Sequence, residues 1–152
     1  MVPSLPQGES RSSRGAQFLS GARAASASRA ERRMANALDK GLERIESGLR
    51  DELSYTNQIA DSVARYLFDA GGKRIRPLLT LLTAQWGSGV TDRVVRAAQV
   101  IELTHLATLY HDDVMDEAAK RRGVVAAQRV WTNSVAILAG DLLFARAGAL
   151  GV

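Results

Sequence analysis

The chain has 152 residues, of which 46% are hydrophobic and 24% are charged, and it contains no cysteine. These values are typical of a globular protein long enough to bury a core, and they exclude disulfides, thiolate chemistry and zinc sites built on cysteine. The net charge of +4 comes from residues 1–34, which hold six arginines and two glutamates, because residues 35–152 hold 14 basic and 14 acidic side chains. We therefore expect no specific nucleic-acid binding.

Residues 1–34 form a tail rich in Arg, Ser and Ala that has no apolar periodicity, which predicts disorder. The composition is similar to that of an organelle transit peptide, and the alternatives are a disordered extension or a true start at Met34. We expect a cytoplasmic protein, or an organellar one if the tail is a transit peptide. No apolar run reaches the ~20 residues that span a bilayer, so we expect no transmembrane segment.

Apolar residues recur at spacings of three and four over residues 38–53 and again over residues 59–70, which predicts two amphipathic helices. Gly71-Gly72 is a strong stop signal for the second helix. Pro77 fits the first turn of a third helix, over residues 78–86, and the uniform apolarity of this segment predicts that it is buried.

Thr91 can cap a fourth helix over residues 92–117, and a fifth helix is predicted from Asn133 to the end of the chain. No segment carries a convincing hairpin signal or an internal repeat. The predicted fold is therefore all-α.

The most informative segment is the acidic run His111-Asp112-Asp113-Val114-Met115-Asp116, followed by Lys120-Arg121-Arg122-Gly123. Three crowded carboxylates repel one another unless a cation lies between them, and Mg²⁺ binds one or two carboxylates together with substrate phosphates. On a helix the three carboxylates fall within an arc of ~100°, and His105 lies on the same face about 10 Å earlier. Arginines bind phosphates through paired hydrogen bonds. The run predicts a Mg²⁺-diphosphate site, with a solvated acidic helix end as the alternative.

A second basic segment, Gly71-Gly72-Lys73-Arg74-Ile75-Arg76-Pro77, precedes the third predicted helix. Two glycines allow close approach of a ligand to the backbone, and N–H groups at a helix N-terminus attract anions. The segment lacks the spacing of a P-loop. Together the two segments predict one site for a bare diphosphate and another for a metal-bound one.

In order along the chain, three segments resemble motifs of the trans-prenyltransferases, also called polyprenyl (isoprenyl) diphosphate synthases. They are Gly71-Gly72-Lys73-Arg74-Ile75-Arg76-Pro77, then Glu102-Leu103-Thr104-His105, then Asp112-Asp113-Val114-Met115-Asp116 with Arg121-Arg122-Gly123. The segment Val135-Ala136-Ile137-Leu138-Ala139-Gly140-Asp141 is similar to the one that follows them in the family. The resemblance implies the N-terminal part of an antiparallel helical bundle of the isoprenoid-synthase type, with residues 35–152 as a partial polyprenyl synthase domain.

The resemblance also implies a role for each matched residue. The implied ligands of isopentenyl diphosphate are Lys73, Arg76, His105 and Arg122. The implied Mg²⁺ site consists of Asp112 and Asp116, with Asp113 in support, and it bridges the allylic diphosphate. Arg121 would grip that diphosphate, so the implied catalytic residues are Asp112, Asp116 and Arg121.

Ala107 lies five positions before Asp112, ~7.5 Å deeper along the helix. In this family an aromatic residue at that position resembles the short-product enzymes, so alanine implies an open tunnel and a long-chain product. The alternative is that Ala107 is simply a small core residue.

The resemblance covers only the first half of the family pattern, and the second aspartate-rich motif has no counterpart after Asp116. We therefore expect a prenyltransferase fragment with little or no activity alone, and a homodimer or hetero-oligomer if complete. The open alternative is a non-catalytic substrate-binding or regulatory subunit that pairs with another chain.

Overall fold

The structure is a computed structural model that describes residues 28–152. In chain order its elements are α1 (Arg29–Glu52), α2 (Gln58–Asp69), α3 (Ile75–Ala84), α4 (Asp92–Met115), β1 (Lys120–Arg121), β2 (Val124–Val125), α5 (Ala127–Val130) and α6 (Asn133–Leu150). Helices make up nearly all of the regular structure, so the predicted all-α class is confirmed.

The first helix begins earlier than the sequence predicts. The hydroxyl of Ser28 accepts a hydrogen bond from the Glu31 N–H at 3.2 Å, and the Glu31 carboxylate accepts one from the Ser28 N–H at 2.6 Å. This capping box satisfies two N–H groups that the first turn leaves without a helical partner, and α1 therefore begins at Arg29. The prediction of disorder is wrong for residues 28–34, and its remainder, residues 1–27, lies outside the described residues.

Helix α4 is the central element, packing most extensively on α6 and also on α3, α1 and α5. Its N-terminus is capped as predicted, because the Thr91 side chain accepts from the Val94 N–H at 3.3 Å. Tyr110 on α4 is fully buried, and its hydroxyl donates to the Val63 carbonyl and accepts from the Leu67 N–H, both on α2. The residues that α4 carries are thus held on a helix fixed from several sides.

Helix α3 differs from its prediction in start and in burial. It begins at Ile75 instead of residue 78, which leaves Pro77 in its first turn. The prediction of a buried helix is wrong, because only Pro77 and Leu81 are buried, whereas Leu79 is 54% exposed. The physical reason is that α3 packs mainly on α4 and α1, which leaves its other side exposed.

A short hairpin follows α4 where no strand was expected. Lys120 pairs with Val125, and Arg121 pairs with Val124. The two residues between the strands, Arg122 and Gly123, have φ angles of 53° and 81°. Positive φ at both positions is the geometry of a tight hairpin turn that usually carries Asn-Gly or Asp-Gly. Arginine in the first position hides that signal in the sequence.

Helix α6 runs antiparallel to α4. His111 Nε2 lies 3.1 Å from the Ile137 carbonyl oxygen, whereas a methyl group at Gly151 would lie 3.8 Å from Val100. By length and composition α6 could cross a membrane, a criterion that core helices also meet. In the structure, α6 packs on α4, and its Leu143 is fully buried. The expectation of no transmembrane segment stays a prediction.

Candidate functional site

The two basic segments and the acidic run converge on one face of α4 near His105. The pKa of His105 is lowered from 6.5 to about 4, first by burial and then by the positive charges of Arg76 and Arg122, while Asp112 opposes the shift. A nearby positive charge disfavours the protonated imidazole, and a nearby carboxylate favours it. His105 and Asp112 lie seven residues apart on one face of α4, and the pKa of about 4 leaves His105 neutral at pH 7.

Lys73 and Arg76 flank the start of α3 and are both exposed. They follow the turn at Gly71 and Gly72, whose φ angles are 95° and 149°. A β-carbon at Gly72 would lie 3.0 Å from both the Arg122 guanidinium carbon and Arg74 Nη1. Glycine is required here because of both the conformation and the close approach of two arginines.

Arg122 is held by the protein itself. Its Nη1 donates to the carbonyl oxygens of Leu67 at 2.8 Å and Gly71 at 2.5 Å, and its Nη2 lies 3.8 Å from Glu102 Oε1. Only 14% of the side chain is exposed. Nη1 is thus occupied by the protein, whereas Nη2 and Nε make no hydrogen bond with residues 28–152, and the implied ligand role of Arg122 stays a prediction.

Asp113 faces the protein interior and not the other two carboxylates. It has no exposed surface, and its Oδ1 accepts a hydrogen bond from Arg121 Nε at 2.6 Å and forms an ion pair with Arg121 Nη2, also at 2.6 Å. Burial raises the pKa of Asp113, and the bond and charge of Arg121 oppose that rise. The expectation that Asp113 belongs to a metal site is not supported by this arrangement, because one step of about 100° around the helix turns its side chain into the core.

Asp112 is partly buried and Asp116 is exposed at the C-terminal cap of α4. Neither side chain makes a hydrogen bond or an ion pair with residues 28–152. The described part of the chain contains no group of three His, Asp or Glu side chains close enough to hold a metal ion. Within residues 28–152, the candidate cation ligands of the acidic run are therefore these two carboxylates, one helical turn apart.

The loop and hairpin after α4 place the Arg121 side chain against Asp113, near the end of that helix. The amide of Gln128 on α5 donates to the carbonyl oxygens of Asp113 at 2.7 Å and Ala118 at 2.9 Å. Arg129 donates to the carbonyl oxygens of Ala118 and Glu117. The guanidinium of Arg121 is thereby fixed at the end of α4, with 31% of its side chain exposed.

Ala107 has no exposed surface. A β-carbon at Gly140 of α6 would lie 3.2 Å from the Ala107 carbonyl oxygen, so the two helices are in close contact at this level. Within residues 28–152 the alanine lines no open tunnel, which favours the alternative of a small core residue. Its implied role in setting product length stays a prediction.

Two residues at this site were not predicted to be functional, Arg74 and Glu102. Both are buried, and Arg74 Nη1 lies 3.3 Å from Glu102 Oε1. A signal for Glu102 was present, because it lies one turn before His105 on the same helix face and is the only acidic residue between Asp92 and Asp112. No comparable signal distinguishes Arg74 from its exposed basic neighbours.

The family model described as polyprenyl synthetase matches residues 57–151. A nonaprenyl diphosphate synthase from Mycobacterium tuberculosis is 50% identical over 117 residues, which are 76% of this chain and 35% of that protein. A heptaprenyl diphosphate synthase component 2 from Geobacillus stearothermophilus is 47% identical over 55% of this chain and 26% of that protein.

The solved structures agree with the sequence comparisons. A polyprenyl synthase from Caulobacter crescentus, crystallised with calcium and isoprenyl diphosphate, is similar to this chain with a TM-score of 0.73 and 36% identity. The match covers 78% of this chain and 36% of that one. The chain spans about a third or less of the length of these three relatives. With most of its length matched by one family model and by this fold, the chain belongs to the polyprenyl synthetase family.

Proposed function

We propose that this chain supplies the diphosphate-binding part of a prenyltransferase site, where isopentenyl diphosphate condenses with an allylic prenyl diphosphate to give a longer polyprenyl diphosphate. The observation that carries the proposal is that the two basic segments meet against α4, where Arg74 Nη1 and Arg122 Nη2 lie 3.3 Å and 3.8 Å from Glu102 Oε1, one turn before His105. Basic side chains from both segments therefore form a cluster beside the helix that carries His105 and Asp112. Membership of the polyprenyl synthetase family supports this reading of the cluster.

The proposed chemistry requires positive charge beside a leaving diphosphate. The allylic C1–O bond breaks, and the diphosphate departs with the electron pair. The double bond of isopentenyl diphosphate then forms a bond to C1, and loss of a proton restores a double bond. Cations that face the departing group stabilise its developing charge, and we assign Arg121 to that role because Asp113 holds it in a fixed orientation.

Asp112 and Asp116 fit a divalent cation such as Mg²⁺. Both are free of protein partners within residues 28–152, and Mg²⁺ is usually bound by one or two carboxylates together with substrate phosphates. When bound, Mg²⁺ would offset the negative charge of the leaving diphosphate. We leave Asp113 out of this ligand set because its Oδ1 is bonded to Arg121.

We infer a long-chain product. The similar proteins from Mycobacterium tuberculosis and Geobacillus stearothermophilus are named for nonaprenyl and heptaprenyl diphosphate, which supports this inference.

The alternative of a partner-dependent or non-catalytic subunit has two observations in its favour. The Geobacillus relative is named as one component of a synthase. Large hydrophobic side chains are also exposed on α3, just after it and on α6, and they include Ile75, Leu79, Trp86, Ile137 and Leu138. A homodimer or hetero-oligomer would cover such a surface.

Binding measurements test the proposal directly. We expect the protein to bind isopentenyl diphosphate without metal, and to bind farnesyl diphosphate more tightly when Mg²⁺ is present. Asp112→Asn removes one carboxylate of the cation site, so the gain from Mg²⁺ should fall by about tenfold or more. Isothermal titration calorimetry with and without Mg²⁺ measures both affinities.

Asp51→Asn is the matched control, because the Asp51 side chain is exposed on α1 and makes no hydrogen bond or ion pair with the residues of the proposed site, so both affinities should stay unchanged. An undiminished Mg²⁺ effect in Asp112→Asn would contradict the proposed cation site. Failure of the unsubstituted protein to bind either diphosphate would contradict the proposed function. Incubation with both diphosphates and Mg²⁺ tests the separate expectation of little activity by this chain alone.

A further inference from the structure

We propose that Glu102 is a positioning residue that sets the geometry of the isopentenyl diphosphate side of the site without contacting substrate. The inference rests on the proposed function. Glu102 is only 1% exposed, and its Oε1 lies 3.3 Å from Arg74 Nη1 and 3.8 Å from Arg122 Nη2. One buried carboxylate thus joins an arginine of the turn before α3 to an arginine of the hairpin turn.

The two arginines cap the C-terminal end of α2. Arg122 donates to the carbonyl oxygens of Leu67 and Gly71, and Arg74 donates to those of Phe68 at 3.2 Å and Gly71 at 3.4 Å. Cations are favourable at the C-terminus of a helix, where carbonyl groups lack helical partners. Arg74 also lies over the Phe68 ring, 4.5 Å from its centroid.

The negative charge of Glu102 offsets the repulsion between these two arginines. Both donate to the same Gly71 oxygen, and like charges repel strongly where water is excluded. Burial and Arg74 lower the pKa of Arg122, while Glu102 opposes that shift. Glu46 on α1 also lies 3.6 Å from Arg74 Nε.

The cluster fixes the segments that carry the cations predicted to bind isopentenyl diphosphate. Lys73 immediately precedes Arg74, and Arg76 follows it by two residues. His105 lies one turn after Glu102 on α4. By contrast, Arg121 is anchored separately by Asp113, on the allylic side of the site. Loss of the Glu102 charge should therefore disturb one side of the site and spare the other.

Glu102→Gln tests this selectivity, because it keeps the size of the side chain and removes the charge. We expect the dissociation constant for isopentenyl diphosphate to rise by about tenfold or more, because two buried arginines lose their shared anion. The Mg²⁺-dependent affinity for farnesyl diphosphate should change by less than about threefold. A variant that weakens both affinities equally, or neither, overturns the inference.

Glu52→Gln is the matched control, since it breaks a different ion pair, with Arg146 at 2.7 Å, that has no contact with the cluster. It should leave both dissociation constants unchanged. If Glu102→Gln does not fold, the charge-balanced double variant Glu102→Gln/Arg74→Gln replaces it. That variant still deprives Arg122 of its anion, so weak isopentenyl diphosphate binding is again expected, and wild-type affinity would overturn the inference.

An NMR comparison without ligand separates this inference from the proposed function. The amide signals of Gly71, Gly72 and Gly123 should shift in Glu102→Gln and stay in place in Glu52→Gln. Unchanged signals would overturn the positioning role even if the protein binds both diphosphates. Absence of diphosphate binding by the unsubstituted protein would instead overturn the proposed function.

Discussion

At the scale of single residues, the pKa of His105 depends on the charged groups of the site. Its folded pKa of about 4 lies below the ordinary value of 6.5, so between these values the unfolded chain binds more protons than the folded one. Its contribution to stability is fully present above pH 6.5 and is lost as the pH falls toward 4. The imidazole is therefore neutral when the site meets a diphosphate near pH 7.

We predict that a bound diphosphate raises the pKa of His105 toward its ordinary value of 6.5, because the anion offsets the charges of Arg76 and Arg122. The chain has two histidines, so NMR titration of the imidazole signals is simple to interpret, and His111→Gln assigns them. Inorganic pyrophosphate and isopentenyl diphosphate are suitable ligands. A pKa for His105 that is the same with and without ligand would contradict its location in the diphosphate pocket.

Side-chain orientation at the acidic run illustrates the limit of sequence reasoning for single residues. The spacing correctly put Asp112 and Asp116 on one face of a helix. It could not tell that Asp113 would be buried against Arg121, because that contact depends on a hairpin that brings residue 121 back to α4.

At the scale of elements, the close approach of α4 and α6 depends on Gly140. A β-carbon there would overlap the His111 ring and lie 3.2 Å from the Ala107 carbonyl oxygen. His111 Nε2 lies 3.1 Å from the Ile137 carbonyl oxygen and 3.4 Å from Asp141 Oδ1, so the ring forms a polar link between the two helices. This link lies directly beside Asp112.

We predict that Gly140→Ala lowers the free energy of unfolding by about 1–3 kcal/mol, because the methyl group displaces His111 and pushes the helices apart. Gly148→Ala in the same helix is the control. No atom lies within 4 Å of its added methyl group, so it should stabilise the protein by about 0.5–1 kcal/mol. Urea denaturation measures both, and equal effects would show that the contact is unimportant.

At the scale of the whole molecule, the net charge and the residues of the proposed site come from different stretches of the sequence. Residues 1–34 carry all of the net charge of +4, and the residues that the structure describes begin at Ser28. The side chains of Ser28 and Glu31 form the capping box of α1. A deletion that removes the tail must therefore end before Ser28 to keep the first helix intact.

We predict that deletion of residues 1–27 leaves diphosphate affinity within about twofold of the full chain, because the proposed binding cations lie in the turn before α3, on α3 and in the hairpin. Deletion of residues 1–33 removes the capping box and should lower the free energy of unfolding by about 1 kcal/mol. Calorimetric titration and urea denaturation measure the two effects. Loss of binding on the shorter deletion would instead favour a site that depends on the tail.

The sequence alone determined the helical class, the cap at Thr91 and the boundary at Gly71-Gly72, whereas the family was indicated by the resemblance of its motifs. These features are local, because they depend on periodicity, capping and spacing over a few turns of helix. The basic and acidic segments predicted one site for a bare diphosphate and another for a metal-bound one.

The tertiary structure alone decided which charges face a ligand and which hold the protein together. Arg74, Arg122 and Glu102 are buried with one another, whereas Lys73 and Arg76 are exposed, although four of these five residues lie in the same two basic segments. Burial of a charge depends on partners brought in from distant elements, here α2, α4 and the hairpin, and so it cannot be inferred from local spacing.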